Sequence, residues 1–215
     1  MIRSRRLSPW QIKRKDEPIV NQNVTRLALC AFAIALNVVA GTIVGDLKIP
    51  LLFLDTIGTI FIAVLYGPYW AFAVGILTNL VLGVTSNYTN IPFGLVNGAV
   101  GLIAGYAARR YGFSLWIAIA SGVFMSIICP IIGTPIAVAM FGGLTGGATD
   151  VVVIWLRDAG AQLFAAAFIP RLYENLLDKV LSCILVMLII RNLPAGMMKR
   201  LGSPKRSSRG SQHAA

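Results

Sequence analysis

The last long apolar stretch of the chain carries the residues best suited to contact a polar solute. In RLYENLLDKVLSCILVMLIIR, Arg171, Glu174, Asn175 and Asp178 recur at three- and four-residue spacing, so a helix places them on one stripe, and Lys179 lies one turn after Asn175. The inner half of this stretch, residues 180–190, is apolar. Because a charge in hydrocarbon is costly, such a stripe must face protein or a water-filled cavity. Two interpretations stay open: structural ion pairs, with Asp178 and Lys179 bound to other helices, or a cavity that holds a solute.

Three further polar residues lie within apolar stretches. Asp55, in LLFLDTIGTI, is interpreted as a helix cap that accepts hydrogen bonds from the backbone amides of Ile57 or Gly58, in preference to a ligand contact. Asn79 and Asn97 could each bond a neighbouring helix. Asn97 lies nearer the outer end of its span, where a ligand contact is an equally good interpretation.

The sequence carries none of the usual motifs of catalysis. No Gly-Lys-Ser/Thr follows the glycine-rich stretch at 142–150, and neither HExxH nor GxSxG occurs. The three cysteines stand apart in apolar runs, and the single histidine, His213, lies in a polar segment, so neither a metal site nor a disulfide framework is indicated. We expect no enzymatic activity, no metal and no cofactor.

The composition is that of a protein embedded in lipid. Of the 215 residues, 57% are apolar and 13% are charged, and that charged fraction is roughly half of what a soluble domain carries. The net charge of +11 is concentrated near the two ends of the chain, which is typical of segments that flank membrane spans. We therefore expect a lipid bilayer around the chain and no nucleic-acid partner.

Six apolar runs predict an all-α integral membrane protein with about six transmembrane helices, since spans in lipid must satisfy their own backbone. The predicted spans cover 25–44, 51–66, a run from the Gly67-Pro68 turn to Val84, 92–108, 114–141 and 171–191. The second is short against the roughly 20 residues that a span needs. We expect three regions: a basic cytoplasmic segment at 1–24, the membrane domain at 25–194, and a basic, disordered cytoplasmic tail at 195–215.

The distribution of Lys and Arg predicts the orientation. With an even number of spans, both basic ends of the chain and the turn at Arg109 and Arg110 share one side, whereas Lys48 and Arg157 lie on the other. Because short cytoplasmic loops are rich in Lys and Arg, both termini are predicted to be cytoplasmic.

Small residues predict close helix packing in two spans. The first span contains Ala31 and Ala35 in the sequence AFAIA, and the fourth contains glycines at positions 94, 98, 101 and 105. The sequence leaves open what each series packs against.

Over residues 25–194 the chain resembles the substrate-binding (S) components of energy-coupling factor (ECF) transporters, the vitamin importers of prokaryotes. The resemblance rests on six spans with inner termini, the Ala31-xxx-Ala35 seam, LDTIGT at 54–59, GILTNLVLG at 75–83, and the terminal ENLLDKVLSCILVMLIIRNLP. The chain is most similar to members of that family whose substrate is unassigned.

The resemblance implies a multi-pass protein of the prokaryotic cytoplasmic membrane that captures a small, water-soluble vitamin or related micronutrient in an outward-facing pocket. It also implies that Ala31 and Ala35 dock a transmembrane T component, and that two ATPase subunits drive the cycle. Carried over, the substrate-binding residues would be Asn97, Trp155, Tyr173, Glu174, Asp178 and Lys179. The extra apolar stretch at 159–170 departs from the simplest family pattern.

Two other classes of function remain open. A stand-alone secondary carrier or channel would use the stripe formed by Glu174, Asp178 and Lys179 as an ion or proton relay, and it would transport without ATPases. A sensor or structural subunit would transport no solute.

Overall fold

The computed structural model describes residues 22–47 and 52–194, and within these ranges every regular element is a helix. The predicted tail at 195–215 and nearly all of the predicted segment at 1–24 lie outside the described residues. The elements are α1 (Gln22–Asp46), α2 (Ile57–Tyr66), α3 (Pro68–Thr85), a short 3-10 helix (Tyr88–Asn90), α4 (Gly94–Tyr111), α5 (Leu115–Phe141), α6 (Asp150–Asp158) and α7 (Leu163–Asn192).

The helices confirm the predicted all-α membrane fold. By length and composition, α1, α3 and α5 are long and apolar enough to cross a membrane. The 30-residue α7 is also long enough, but its charged stripe lowers its hydropathy. The six predicted spans correspond to α1 to α5 and α7, and the short α6 is an addition between the last two.

The second predicted span differs from the structure at its beginning, where residues 52–56 are not helical. Instead of a helix over 51–66, only ten residues form α2, which is about 15 Å of helix and half of a bilayer. The segment 52–56 is not helical, and Leu54 has a positive φ of 53°. Non-helical backbone is tolerated at membrane depth where other protein groups bond it. Here the carboxylate of Asp178 accepts hydrogen bonds from the amides of Phe53 and Leu54.

The last helix begins earlier than predicted. It starts at Leu163 rather than Arg171, so most of the apolar stretch at 159–170 belongs to it. Pro170 lies inside the helix, where a proline removes one backbone hydrogen bond and disturbs the preceding turn. The Arg171 guanidinium donates to the carbonyl of Ala167, at 2.7 Å, and so bonds a backbone oxygen in that turn.

The glycine series of α4 packs against α3. A Cβ at Gly101 would lie 2.7 Å from the carbonyl carbon of Ala71, and one at Gly105 would lie 2.5 Å from Pro68 Cα. From the other side, a Cβ at Gly75 would lie 2.6 Å from the carbonyl carbon of Asn97. The two backbones therefore approach too closely for any side chain at these positions.

The alanines of α1 divide between two faces. Ala33 is buried, and a Cβ at Gly58 would collide with its backbone, so α1 and α2 also pack closely. Ala31 and Ala35 are exposed on the opposite face of α1. The predicted seam is therefore not used for packing within the described part of the chain.

One end of the bundle is basic, and we call it the basic end. Arg26, at the start of α1, lies 5.6 Å from the centre of the Tyr66 ring, and Arg109, at the end of α4, donates to the Tyr66 carbonyl at 3.1 Å. Arg110 follows Arg109, and Arg191 occupies the last turn of α7. The start of α1 and the end of α7 thus lie at the basic end.

Candidate functional site

A cavity of about 410 Å³ lies at the other end of the bundle. It is lined by the last turns of α1, the segment 52–56, the facing ends of α3 and α4, residues 129–133 of α5, the loop at 145–148 and residues 171–179 of α7. Small-molecule sites usually have volumes between about 300 and 1,000 Å³. The cavity therefore has the size of a site for a small solute.

The polar stripe of α7 forms one wall of this cavity. Arg171, Glu174, Asn175 and Lys179 line it, and each of these residues is buried within the bundle. Asp178 is fully buried behind Lys179. The stripe therefore borders a hollow, and part of it is engaged in ion pairs.

Asp178 ties α7 to the non-helical segment before α2. Its Oδ1 atom accepts hydrogen bonds from the backbone amides of Phe53 and Leu54, both at 2.9 Å. Its Oδ2 atom lies 2.6 Å from Lys179 Nζ. The carboxylate thus satisfies two amides that a helix would otherwise have satisfied, which explains how this segment stays unwound.

Lys179 stands between two carboxylates. Besides the contact with Asp178, its Nζ atom donates to Thr56 Oγ1 at 3.2 Å and lies 3.8 Å from Asp55 Oδ1. The ring of Phe53 is 5.8 Å from the same nitrogen. One ammonium group therefore faces two acidic side chains, and Asp55 is the more distant of the two.

Asp55 is not the helix cap that the sequence indicated. The amide of Gly58 donates to Asn37 Oδ1 at 2.7 Å, and Thr56 occupies the capping position of α2. Asp55 instead lines the cavity, where its side chain is 21% exposed. Its Oδ1 atom is buried and accepts no hydrogen bond from the described residues.

Asn97 lines the cavity and also joins three elements. Its Oδ1 accepts from the Thr59 hydroxyl at 2.8 Å, while its Nδ2 donates to Asn79 Oδ1 at 2.9 Å and to the Asp55 carbonyl at 3.2 Å. Both amide hydrogens are therefore engaged. A ligand at Asn97 would meet a side chain whose orientation is already fixed.

The same network continues into α1. Asn37 Nδ2 donates to the hydroxyls of Thr59 and Thr78, at 2.9 Å and 3.1 Å. Asn37, Thr59, Thr78, Asn79 and Asn97 are all buried, and we call them the amide cluster. This cluster couples the four helices α1 to α4 at the inner limit of the cavity.

The glycine-rich loop between α5 and α6 is anchored to α7. Arg171 donates to the Gly143 carbonyl at 3.0 Å, and the Thr149 hydroxyl donates to Glu174 Oε2 at 2.5 Å. Gly143 and Gly146 have φ values of 90° and 86°, which glycine adopts without strain. The loop is therefore bonded to α7 at two points.

The structure brings together only part of the site predicted from the sequence. Asn97, Glu174 and Lys179 line the cavity, whereas Asp178 lies behind it. Trp155 on α6 and Tyr173 on α7 are 67% and 61% exposed and do not line it. Each residue of a helix is turned by about 100° from the one before, so Tyr173 faces away although Glu174 faces in.

Several lining residues were missed by the prediction. Arg171 and Asn175 belong to the recognised stripe, so the spacing of α7 alone could have added them. Asp55 also carried a signal, because an acidic residue in an apolar run is a candidate site by default. Phe53 and Phe93 carried none, since nothing distinguishes them from other apolar residues of the spans.

A metal site is not formed by the described residues, where no three His, Cys, Asp or Glu side chains come together to hold an ion. The thiols of Cys30, Cys129 and Cys183 are free and buried in the apolar core. The site accordingly offers hydrogen bonds, charges and apolar surface to a ligand.

Comparison with known proteins identifies the family. Neither the curated proteins nor the solved structures include a match to this chain. The family model of the ECF transporter substrate-specific component matches residues 25–190, which is most of the chain and includes every helix that lines the cavity. Members of this family are transporter components rather than enzymes. The chain belongs to the substrate-specific components of ECF transporters.

Proposed function

We propose that this chain captures a small, water-soluble vitamin or related micronutrient in its cavity and delivers it to an ATP-driven ECF importer. The observation that carries the proposal is the cavity of about 410 Å³ beside the buried polar stripe of α7. Charged side chains are kept within a membrane domain where they border a wet or ligand-filled space. The role is binding, and no catalysis is proposed.

The lining suits a solute with a ring and several polar groups. The amides of Asn79, Asn97 and Asn175 offer both donors and acceptors, and Phe53 and Phe93 offer apolar faces. Ligand sites typically combine aromatic surface with a few fixed polar groups, which set orientation and specificity. Such a lining discriminates between heterocyclic compounds better than it holds a simple ion.

The charge distribution supports a cavity that opens to the outside. Arg26, Arg109, Arg110 and Arg191 all lie at the basic end, away from the cavity. Because Lys and Arg concentrate on the cytoplasmic side, the basic end would face the cytoplasm, in the cytoplasmic membrane of a prokaryote. Both termini would then be cytoplasmic, and the cavity would receive its solute from outside.

The outer face of α1 is our candidate for the T component. Ala31 and Ala35 are exposed there, next to Phe32, Leu36 and Val39, whose side chains are also exposed. Small residues allow another helix to approach the backbone closely. We propose that this face docks the transmembrane T component, which joins the chain to two ATPase subunits.

A thermal-shift screen of the purified protein against a panel of vitamins tests the proposal. Binding at a tenfold excess over Kd stabilises a fold by about 1.4 kcal/mol. The three buried thiols allow unfolding to be followed directly with a thiol-reactive dye. Glu174→Ala should abolish the shift, whereas Tyr173→Ala, on the outer face of the same helix, should leave it unchanged.

Two results would overturn the proposal. If no micronutrient shifts the melting curve and no T component or ATPase co-purifies, the chain is not a capture subunit. If the chain alone, in liposomes, moves solute or ions in response to a membrane potential, it is a stand-alone carrier or channel instead.

A further inference from the structure

The cavity is acidic although the chain is basic. The described residues that line it include three acidic side chains (Asp46, Asp55, Glu174) and two basic ones (Arg171, Lys179), and Asp178 adds a fourth carboxylate behind Lys179. The chain as a whole carries a net charge of +11. The excess of carboxylates is therefore a local property of this site.

Both basic side chains are already engaged by other groups of the protein. Lys179 is paired with Asp178 at 2.6 Å. Arg171 donates to the carbonyls of Ala167 and Gly143, at 2.7 Å and 3.0 Å. An anionic solute would have to displace these contacts, and it would then face Asp55 and Glu174.

The Asp55 carboxylate, by contrast, can still accept hydrogen bonds and pair with a positive charge. Lys179 is neutralised by its closer partner, so the charge of Asp55 is only partly balanced at a distance of 3.8 Å. Its Oδ1 atom is buried on the side of Lys179, and no described residue donates a hydrogen bond to either carboxylate oxygen; the side chain is 21% exposed and lines the cavity. A buried acceptor without a donor is costly. A ligand that donated a hydrogen bond to the exposed part of this carboxylate would remove that cost.

We infer that the captured solute is a cation whose positively charged nitrogen pairs with the Asp55 carboxylate. This inference rests on the proposed function and specifies the class of solute. Glu174 places a second carboxylate in the wall, and its Oε2 is oriented by Thr149. Phe93 lines the same cavity, and an aromatic face attracts a cation while it excludes water.

Titration calorimetry of the full chain in detergent, with single probes of known charge, tests this inference. The cationic probes are thiamine and pyridoxamine, the neutral probe is riboflavin, and the anionic probes are biotin, pantothenate and folate. We expect a cationic probe to bind and the anionic ones not to bind. Loss of a charged hydrogen bond should weaken binding by about 10- to 100-fold in Asp55→Asn.

Two further variants test whether the effect is specific to the carboxylates of the cavity. Asp158→Asn removes the same charge from an exposed position at the end of α6, away from the cavity, and should leave affinity unchanged. Glu174→Gln retains an acceptor for the Thr149 hydroxyl while it removes the second carboxylate. It should also weaken binding of the cationic probe. The charge preference of the unmodified protein is informative even if Asp55→Asn does not fold.

The outcomes separate this inference from the proposed function. Binding of an anionic or neutral probe overturns the cationic assignment and leaves vitamin capture standing. Equal affinity of a cationic probe for the parent and for a folded Asp55→Asn overturns the role of Asp55. If no probe binds, the inference and the proposed function both lose their support.

Discussion

Replacement of Asp178 by alanine should destabilise the fold as a whole, because this side chain connects α7 to the segment before α2. It is fully buried, and it bonds the Phe53 and Leu54 amides as well as Lys179. The sequence alone left open whether Asp178 contacts a solute or holds the structure. Its position behind the cavity wall favours the structural role.

The expected magnitude follows from the groups that alanine leaves without a partner. Two partly buried backbone amides lose their only acceptor among the described residues, and a buried donor left unsatisfied costs about 1 to 3 kcal/mol. Lys179 keeps Asp55 at 3.8 Å, so its charge stays partly balanced. We therefore expect a loss of about 2 kcal/mol or more, which for a chain of this size lowers Tm by roughly 4 °C or more.

Thermal unfolding followed by reaction of the buried thiols measures this loss. Asp178→Asn is the matched variant, because its carbonyl oxygen can still accept from both amides while its pairing with Lys179 is lost, and it should be destabilised by less. Asp158→Ala changes an exposed residue and should shift Tm by no more than about 1 °C.

One result would refute this reasoning. If Asp178→Ala has the same Tm as the parent but no longer binds a vitamin that the parent binds, then Asp178 is a ligand contact. The amides of Phe53 and Leu54 would then have partners other than this carboxylate.

Three further predictions follow from packing and exposure. The double variant Ala31→Leu, Ala35→Leu should no longer co-purify with the T component, because both side chains are exposed on α1. Solute binding should stay intact, and its loss would contradict the docking role. Trp155→Ala and Tyr173→Ala should leave Kd within about twofold of the parent, as both lie outside the cavity; a tenfold loss would place them in the site. Gly75→Ala should lower Tm by several degrees, because its Cβ would meet backbone of α4 at 2.6 Å; an unchanged Tm would mean that the helices separate freely.

The apolar runs predicted most of the fold because length and hydropathy suffice to place a span. The predicted spans at 25–44, 92–108 and 114–141 agree with α1, α4 and α5 to within three residues at each end. Pro130 and Pro135 do not end α5, since a helix in lipid loses more by exposing its backbone than by bending. Periodicity alone could not have shown this.

The errors arose where a distant side chain decides the local structure. Nothing near residue 52 shows that its segment will stay unwound, because the acceptor for its amides is Asp178 on another helix. Asp55 was likewise interpreted from its neighbours in sequence, although Asn37 supplies the bond that a capping residue would have made. In both cases the partner lies more than 20 residues away along the chain.

The amide cluster has a consequence for the membrane as a barrier. Beneath it, toward the basic end, the helices meet through the fully buried apolar side chains of Ile60, Val100 and Ala104. Between α2 and α4, water or protons that pass the cluster therefore meet a tightly packed apolar stretch, and the buried hydroxyls of Ser121, Ser126 and Ser182 belong to α5 and α7. We expect that cells can hold this subunit in excess of its transport partners without dissipating their ion gradients.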